Sequence, residues 1–195
     1  MDVSGNSVKR KRADELRCRG VGKGPGNHQK SMKIISDSSP LMAFSAIGKL
    51  PLLQEELGQI IIPDAVWTEI AVDGKHKKGT GDILRADWIK IEYVKNQVLA
   101  KSLRKDIDYG ESEAIALAVE LDADLILLDD KMARTVASNF GLNILGTVGI
   151  LIRAKKKGLL QQLRPELQNL LVEANFRLSH ELINIALREV GENNL

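Results

Sequence analysis

The sequence predicts an α/β fold, a three-layer α/β/α sandwich with a central, mainly parallel sheet. Three observations predict it. Short continuous apolar runs, "KIISD", "QIIIP" and "DLILLDD", have the composition of strands buried on both faces. Helical stretches separate these runs, and strand–helix alternation is the mark of parallel sheets covered by helices. The chain of 195 residues with 44% hydrophobic content is also long enough for one domain with a proper core. Aromatic residues make up only 4%, so that core must be built from Leu, Ile, Val and Ala.

Taken in order, residues 1–31 are rich in Gly, Lys, Arg, Ser and Asn and show no apolar periodicity, so a disordered basic leader is expected there. Its net charge is +5, against −3 for the remainder of the chain. Met32 directly precedes the first good strand and marks either the true start or the boundary of the functional domain. "KIISD" is that strand. "SPLMAFSAIGKLPLLQEEL" reads as helix broken near Gly48 and Pro51, with Leu41, Phe44, Leu52, Leu53 and Leu57 on its apolar faces. "QIIIP" is a second strand. "DAVWTEIAV" opens with Asp64 as N-cap after Pro63 and continues as helix. "VDGKHKKGTGD" is a Gly/Lys-rich loop, "WIKIEYV" a strand, and the stretch after it a polar connection. "DYGESEAIALAVELDA" is the strongest helix in the chain, rich in Ala, Glu and Leu. "DLILLDD" is again strand, "KMARTVASNFG" a helix stopped by Gly141, "LNILG" a strand and "TVGILIRAKKKGLL" a helix. Two helical stretches, 163–174 and 179–190, close the chain as a C-terminal extension over 161–195.

Carboxylates gather where such a sheet does its work. In open parallel sheets, ligands sit beyond the C-terminal strand ends. Asp37 ends the first strand and Asp129 and Asp130 end the fourth, while Glu69 follows the second on its helix. Glu111 and Glu113 occupy the first turn of the Ala-rich helix. Each has a plain structural reading as well. Asp37 with Ser38 and Ser39 is suited to capping the next helix, Glu69 to a solvated helix face, and Glu111 and Glu113 to the dipole at a helix N-terminus. One of Asp129 and Asp130 is expected to cap the helix that follows. If the acids converge, however, their mutual repulsion calls for a cation or for shared protons. Oxygen donors without His or Cys suit Mg2+ or Mn2+, ions that act on phosphodiesters.

Other chemistries find little support. Cys18 is the only cysteine and lies in the leader, which excludes an internal disulfide and a cysteine zinc site and suits a cytoplasmic protein. His28, His76 and His180 have no metal-ligand spacing. No G-x-S-x-G, Walker A or G-x-G-x-x-G sequence is present. No window is long and apolar enough for a membrane span. The mildly acidic remainder is not held to nucleic acid by bulk charge, so a polyanion would need a local basic patch or a metal.

The order of "IISDSSPLMAFSAIGKL", "IIIPDAVWTEI", "YGESEAIALAVELDADLILLDDKMAR" and "ILGTVGILIRAKKKGLL", over residues 32–160, resembles the PIN-domain family. More narrowly it is similar to the VapC-like branch of small nucleic-acid-binding proteins of bacteria and archaea, and "FRLSHELINIALREVG" resembles the closing helix of that branch. The resemblance implies an acid cluster that binds Mg2+ or Mn2+ and hydrolyses single-stranded RNA. By position, Asp37 is then the first metal ligand, with Ser39 as a hydrogen-bonding partner, and Glu69 is the second acid. Glu113 is the third, and Asp129 or Asp130 the fourth, Asp129 being nearer the strand. Thr147 occupies a motif position with a structural role. Relatives of this kind are often toxins neutralised by an antitoxin, so an antitoxin partner and a homodimer join RNA as expected partners, with no membrane. The alternative is a catalytically degenerate module of the same fold that binds nucleic acid or protein without cutting. A phosphatase of another doubly wound family would need a second acid two residues after Asp37, where Ser39 stands.

Overall fold

The structure, a computed structural model, describes residues 32–192, so the leader expected over 1–31 lies outside the described residues. Five strands are present among them: β1 (Ile34–Ser36), β2 (Ile60–Pro63), β3 (Ile89–Glu92), β4 (Leu125–Leu127) and β5 (Ile144–Leu145). All pair in parallel, in the order β3-β2-β1-β4-β5. β1 and β4 are buried along their whole length, which is why both read as unbroken apolar runs rather than alternating ones.

Helices cover both faces. On one, Ile35 and Ile126 meet Ala114, Ile115 and Ala118 of α6 (Tyr109–Leu121), Leu103 of α5 (Gln97–Leu103) and Ala133 of α7 (Lys131–Asn139). The small alanines of α6 let it lie close across β1, β2 and β4. The other layer holds α1 (Ser38–Ala46), α2 (Leu50–Leu57) and α8 (Thr147–Lys156), which pack together, and α10 (His180–Glu189), which rests on α8. Between α8 and α10 runs α9 (Arg164–Val172), whose N-terminus is closed by the Glu192 carboxylate, which accepts from Leu163 N at 2.7 Å and Arg164 N at 3.0 Å. Among the described residues, no helix is long and apolar enough to cross a membrane.

The strand order positions the site. The chain steps outward from β1 through β2 to β3, then returns to place β4 on the other side of β1. The connections after β1 and β4 therefore part in opposite directions and leave a crevice at their C-terminal ends, where such sheets bind ligands. Ser36 pairs with Leu127, and the Asp37 N–H still donates to Leu127 O at 3.1 Å. Asp37 and Asp129 thus emerge side by side, about one residue out of step.

Several local expectations need correction. Asp64 is not the cap of its helix: Pro63 remains paired with Glu92 in the sheet, so α3 (Asp64–Thr68) starts at once and Asp64 enters its first turn, where the helix dipole favours an acid. The end of the stretch read as loop forms α4 (Thr80–Arg85), seated by the fully buried Ile83. The polar connection after β3 contains α5, capped by Asn96 Oδ1, which accepts from Leu99 N at 3.1 Å. Both helices are shorter than two full turns of periodic signal, and tertiary packing rather than propensity holds them. Leu57 is only half-buried, while Glu56 beside it is buried, paired with Arg153 Nε of α8 at 3.0 Å and with Lys157 Nζ, just past the end of α8, at 2.9 Å. The break after α1 falls at Gly48, in left-handed backbone, as the sequence indicated.

Candidate functional site

Asp37 resolves its two readings by using its oxygens separately. Its Oδ2 accepts from Ser39 N–H at 3.2 Å and caps α1. Its Oδ1 faces the Cα of Gly110, at the start of α6. The neighbouring serines do not cap, contrary to expectation. Ser38 Oγ instead donates to Glu69 Oε1 at 2.8 Å, because Ser38 lies inside the first turn and its hydroxyl is turned towards the second acid. Glu69 stands where α3 widens into a π-helical turn, Glu69–Asp73, closed by Gly74 N–H to Glu69 O at 2.9 Å. The extra residue of a π turn changes which way side chains face, and such turns recur at functional sites.

Gly110 is the point on which the acids converge. A Cβ there would stand 2.8 Å from Glu69 Oε2 and 3.3 Å from Asp37 Oδ1. The two carboxylates therefore occupy the space that any other side chain would take. Asp108, two residues earlier, caps α6 in a reciprocal box. Glu111 N donates to Asp108 Oδ1 at 2.8 Å, and Asp108 N donates to Glu111 Oε2 at 3.3 Å. The box draws Glu111 back towards the same crevice.

The electrostatics record this crowding. Burial pushes the Asp37 carboxyl up to about 7; the N–H groups of Ser38 and Ser39 oppose the rise, and the carboxylates of Glu69 and Asp108 add to it. Burial also raises Glu111 to about 7, reinforced by Asp108, Asp37 and, across the crevice, Asp130. Glu69 is raised by burial and by Asp108, against the Ser38 hydroxyl and the charge of Lys77. Keeping Asp37 ionised above neutral pH costs on the order of 4 kcal/mol, a sizeable part of the roughly 5–15 kcal/mol that holds a domain folded. Such a cluster holds or shares protons near neutral pH, or takes a compensating cation.

The remaining expected residues have partners of their own. Glu113 is buried and meets an Arg104 Nη at 3.3 Å, while the Arg104 guanidinium lies 3.9 Å from the centre of the Tyr109 ring. Asp129 is bound at both oxygens by Thr147, N–H to Oδ1 at 2.8 Å and Oγ1–H to Oδ2 at 2.6 Å. Burial still raises its carboxyl, but these two donors and the charge of Arg134 pull it back down. Asp130 caps α7, accepting from Met132 N at 2.7 Å and Ala133 N at 2.9 Å. A cleft of about 750 Å³ joins Ser38, Ser39, Glu69, Asp129 and Asp130 to residues from the loops 74–79 and 173–177.

The structure thus gathers Asp37, Glu69 and Glu111 with Ser38, sets Asp129 and Asp130 on the facing side, and leaves Glu113 bound to Arg104. Sequence reasoning passed over Asp108 and Gly110; the signal that could have found them is the D-x-x-E box with a glycine inside it at the start of a strong helix. Among the described residues, no three His, Cys, Asp or Glu side chains are arranged to hold a metal ion together. The donor chemistry nevertheless fits a hard divalent cation, because Mg2+ takes one or two carboxylates and keeps water or phosphate in its other positions. The space left by Gly110 brings two carboxylates to one point.

In comparisons with known proteins, a family model described as a PIN domain matches residues 33–192. No curated protein matches the chain.

Proposed function

We propose, from the premise that the chain belongs to the PIN-domain family, that it is a metal-dependent endoribonuclease and the toxin of a toxin–antitoxin pair. PIN domains are generally nucleases that typically use divalent metal ions. The observation that supports this reading for the present chain is the convergence of Asp37 and Glu69 on the Cα of Gly110, at the crevice between β1 and β4.

In this reading Asp37, Glu69, Glu113 and Asp129 are the acids of the reaction, with Asp37, Glu113, Asp129 and Asp130 as metal ligands and Glu111 beside Asp37. Mg2+ or Mn2+, when bound, supplies Lewis acidity to a phosphodiester and activates water for attack. The chain's own contribution is orientation. Ser39 N–H fixes Asp37, Ser38 fixes Glu69, Arg104 fixes Glu113 and Thr147 fixes Asp129. Fixed carboxylates need no reorganisation when charge develops. RNA is the substrate of the proposal, an antitoxin and a second copy of the chain are its protein partners, and the cytoplasm is its location.

The test is cleavage of single-stranded and of structured RNA with Mn2+ and with chelator. Metal-dependent cleavage by the wild type and none by Asp37→Asn is expected, whereas an Asp37→Asn variant as active as the wild type refutes the assignment. Growth arrest on expression, lost in the same variant, is expected of a toxin. A second reading, a binding module of the same fold that does not cut, draws on the absence of three acids arranged around one point among the described residues. Calorimetry that detects no Mn2+ binding supports that reading instead.

A further inference from the structure

We propose that the part of the cleft lined by Lys77, Lys78, Phe176 and Arg177 is a subsite for one unpaired nucleotide of single-stranded RNA, its phosphate against the cations and its base on the Phe176 ring. The proposal rests on the nuclease reading above and assigns the residues that would hold one nucleotide of the substrate beside the acids.

The four residues come from segments about a hundred positions apart that meet in the same cleft as Ser38, Glu69 and Asp129. Lys78 Nζ joins them through an ion pair of 2.6 Å with Glu173 Oε2. Both segments are built rather than loose. In the first, Gly79 lies in left-handed backbone against α1, where a Cβ would come within 2.5 Å of Ser45 O, and Ser45 Oγ donates to Gly79 O at 2.6 Å. Thr80 Oγ1 donates to Gly74 O at 2.6 Å and closes the other end of that loop. In the second, Asn175 adopts left-handed backbone, and Phe176 N–H donates back to Leu170 O at 2.9 Å. That reversal brings Phe176, half-buried, to the cleft wall, with exposed Arg177 after it.

Charge and composition point the same way. Residues 32–192 carry a net charge of −3, and the floor of the cleft is acidic, so a polyanion can approach only where cations are concentrated. Lys77 and Arg177 supply that concentration beside the acids, while Lys78 is held by Glu173 in the same cleft wall. Phe176 is one of only three phenylalanines in the chain, and an aromatic face next to cations is the arrangement on which unpaired bases stack. A duplex keeps its base faces covered and cannot use such a ring.

The experiment is binding of a labelled oligouridylate to the full chain in chelator, read by fluorescence anisotropy across a salt series, with the matching duplex as control. Phe176→Ala is expected to weaken single-strand binding about five- to tenfold without affecting the duplex, and Phe176→Tyr to restore it. Lys77→Ala and Arg177→Ala should each weaken binding and reduce the salt slope by about 0.7. Wild-type affinity in Phe176→Ala and Arg177→Ala, both folded by circular dichroism, overturns the subsite, as does an equal loss for strand and duplex. Tighter binding of oligodeoxythymidylate than of RNA overturns the assignment to RNA. The two readings fail separately. Binding that depends on Phe176 without any Mn2+-dependent cleavage sinks the nuclease and leaves the subsite standing. Cleavage that is the same in wild type, Phe176→Ala and Arg177→Ala sinks the subsite alone.

Discussion

Two carboxylates leave adjacent strands at the same edge of the sheet and meet opposite treatment. Asp129, after β4, receives two hydrogen bonds from Thr147 and the nearby charge of Arg134. Asp37, after β1, accepts from Ser39 N–H at 3.2 Å, with the Ser38 N–H also favouring its charge, and faces Glu69 across the Cα of Gly110, with Asp108 and Glu111 close behind. Both are buried enough to be raised, but only at Asp37 do neighbouring carboxylates raise the carboxyl further. Burial is the larger cause at Asp37 and the neighbouring carboxylates add to it, whereas at Asp129 the Thr147 donors and Arg134 work against burial. The lesson is that carboxylates crowd one another at β1 and the start of α6, while at the β4 end two hydrogen bonds and a nearby guanidinium steady a single acid.

Substitutions can break or sharpen this contrast. The greatest effect is expected from Asp37→Asn, which keeps the shape and removes the charge: RNA cleavage should fall on the order of a thousandfold while thermal stability above neutral pH rises. An unchanged or lower melting temperature at that pH would mean that neither burial nor the neighbouring carboxylates penalise the Asp37 charge. Next comes Gly110→Ala, whose methyl group would occupy the space shared by Glu69 and Asp37. Mn2+ affinity, measured by calorimetry, should drop about ten- to a hundredfold although alanine is the better helix former. Retained affinity would show that the two acids do not act at one point.

Smaller still is the dependence of stability on pH. Folded Asp37 and Glu111 hold protons up to about 7, whereas ordinary carboxylates release them near 4. Between these values the folded state binds more protons than the unfolded one, so stability falls as pH rises through that window. A melting temperature several degrees lower at about pH 8 than at about pH 5 is expected, and Mn2+ should flatten the slope; a melting temperature that climbs over that range contradicts the contrast. The least effect belongs to Thr147→Val, which removes one of the two donors to Asp129. A loss of about 1–2 kcal/mol is expected, larger at high pH because the ionised acid is the form that loses its donor. Equal losses at both pH values, measured by denaturant unfolding, would show that Thr147 supports packing rather than charge.

Much of the fold was legible because its signals are local. The apolar runs around Ile35, Ile61 and Ile126 are buried strands, and the Ala-rich stretch from Tyr109 is the helix that crosses them. The glycine stops at Gly48 and Gly141 also hold. What failed was short or depended on neighbours: α4 and α5 are held by packing, and Asp64 lost its capping role because Pro63 stayed in the sheet. At the site, Asp37 could be recognised as either cap or ligand, and its geometry serves the first with one oxygen while leaving the other turned to the acids. Asp108 and Gly110 gave only a capping signal, and nothing local marks Gly110 as the point where two distant carboxylates meet.

By itself, then, the sequence determined the elements and the supply of carboxylates at their ends, since strand and helix periodicity and capping chemistry are properties of a few consecutive residues. Which carboxylates face one another was decided only by the tertiary structure. That choice depends on the order β3-β2-β1-β4-β5, on the register that sets Ser36 beside Leu127, and on the π turn that begins at Glu69. The first two are relations between segments far apart in the chain, and the energy of a charge cluster depends on distances in space that no local pattern encodes.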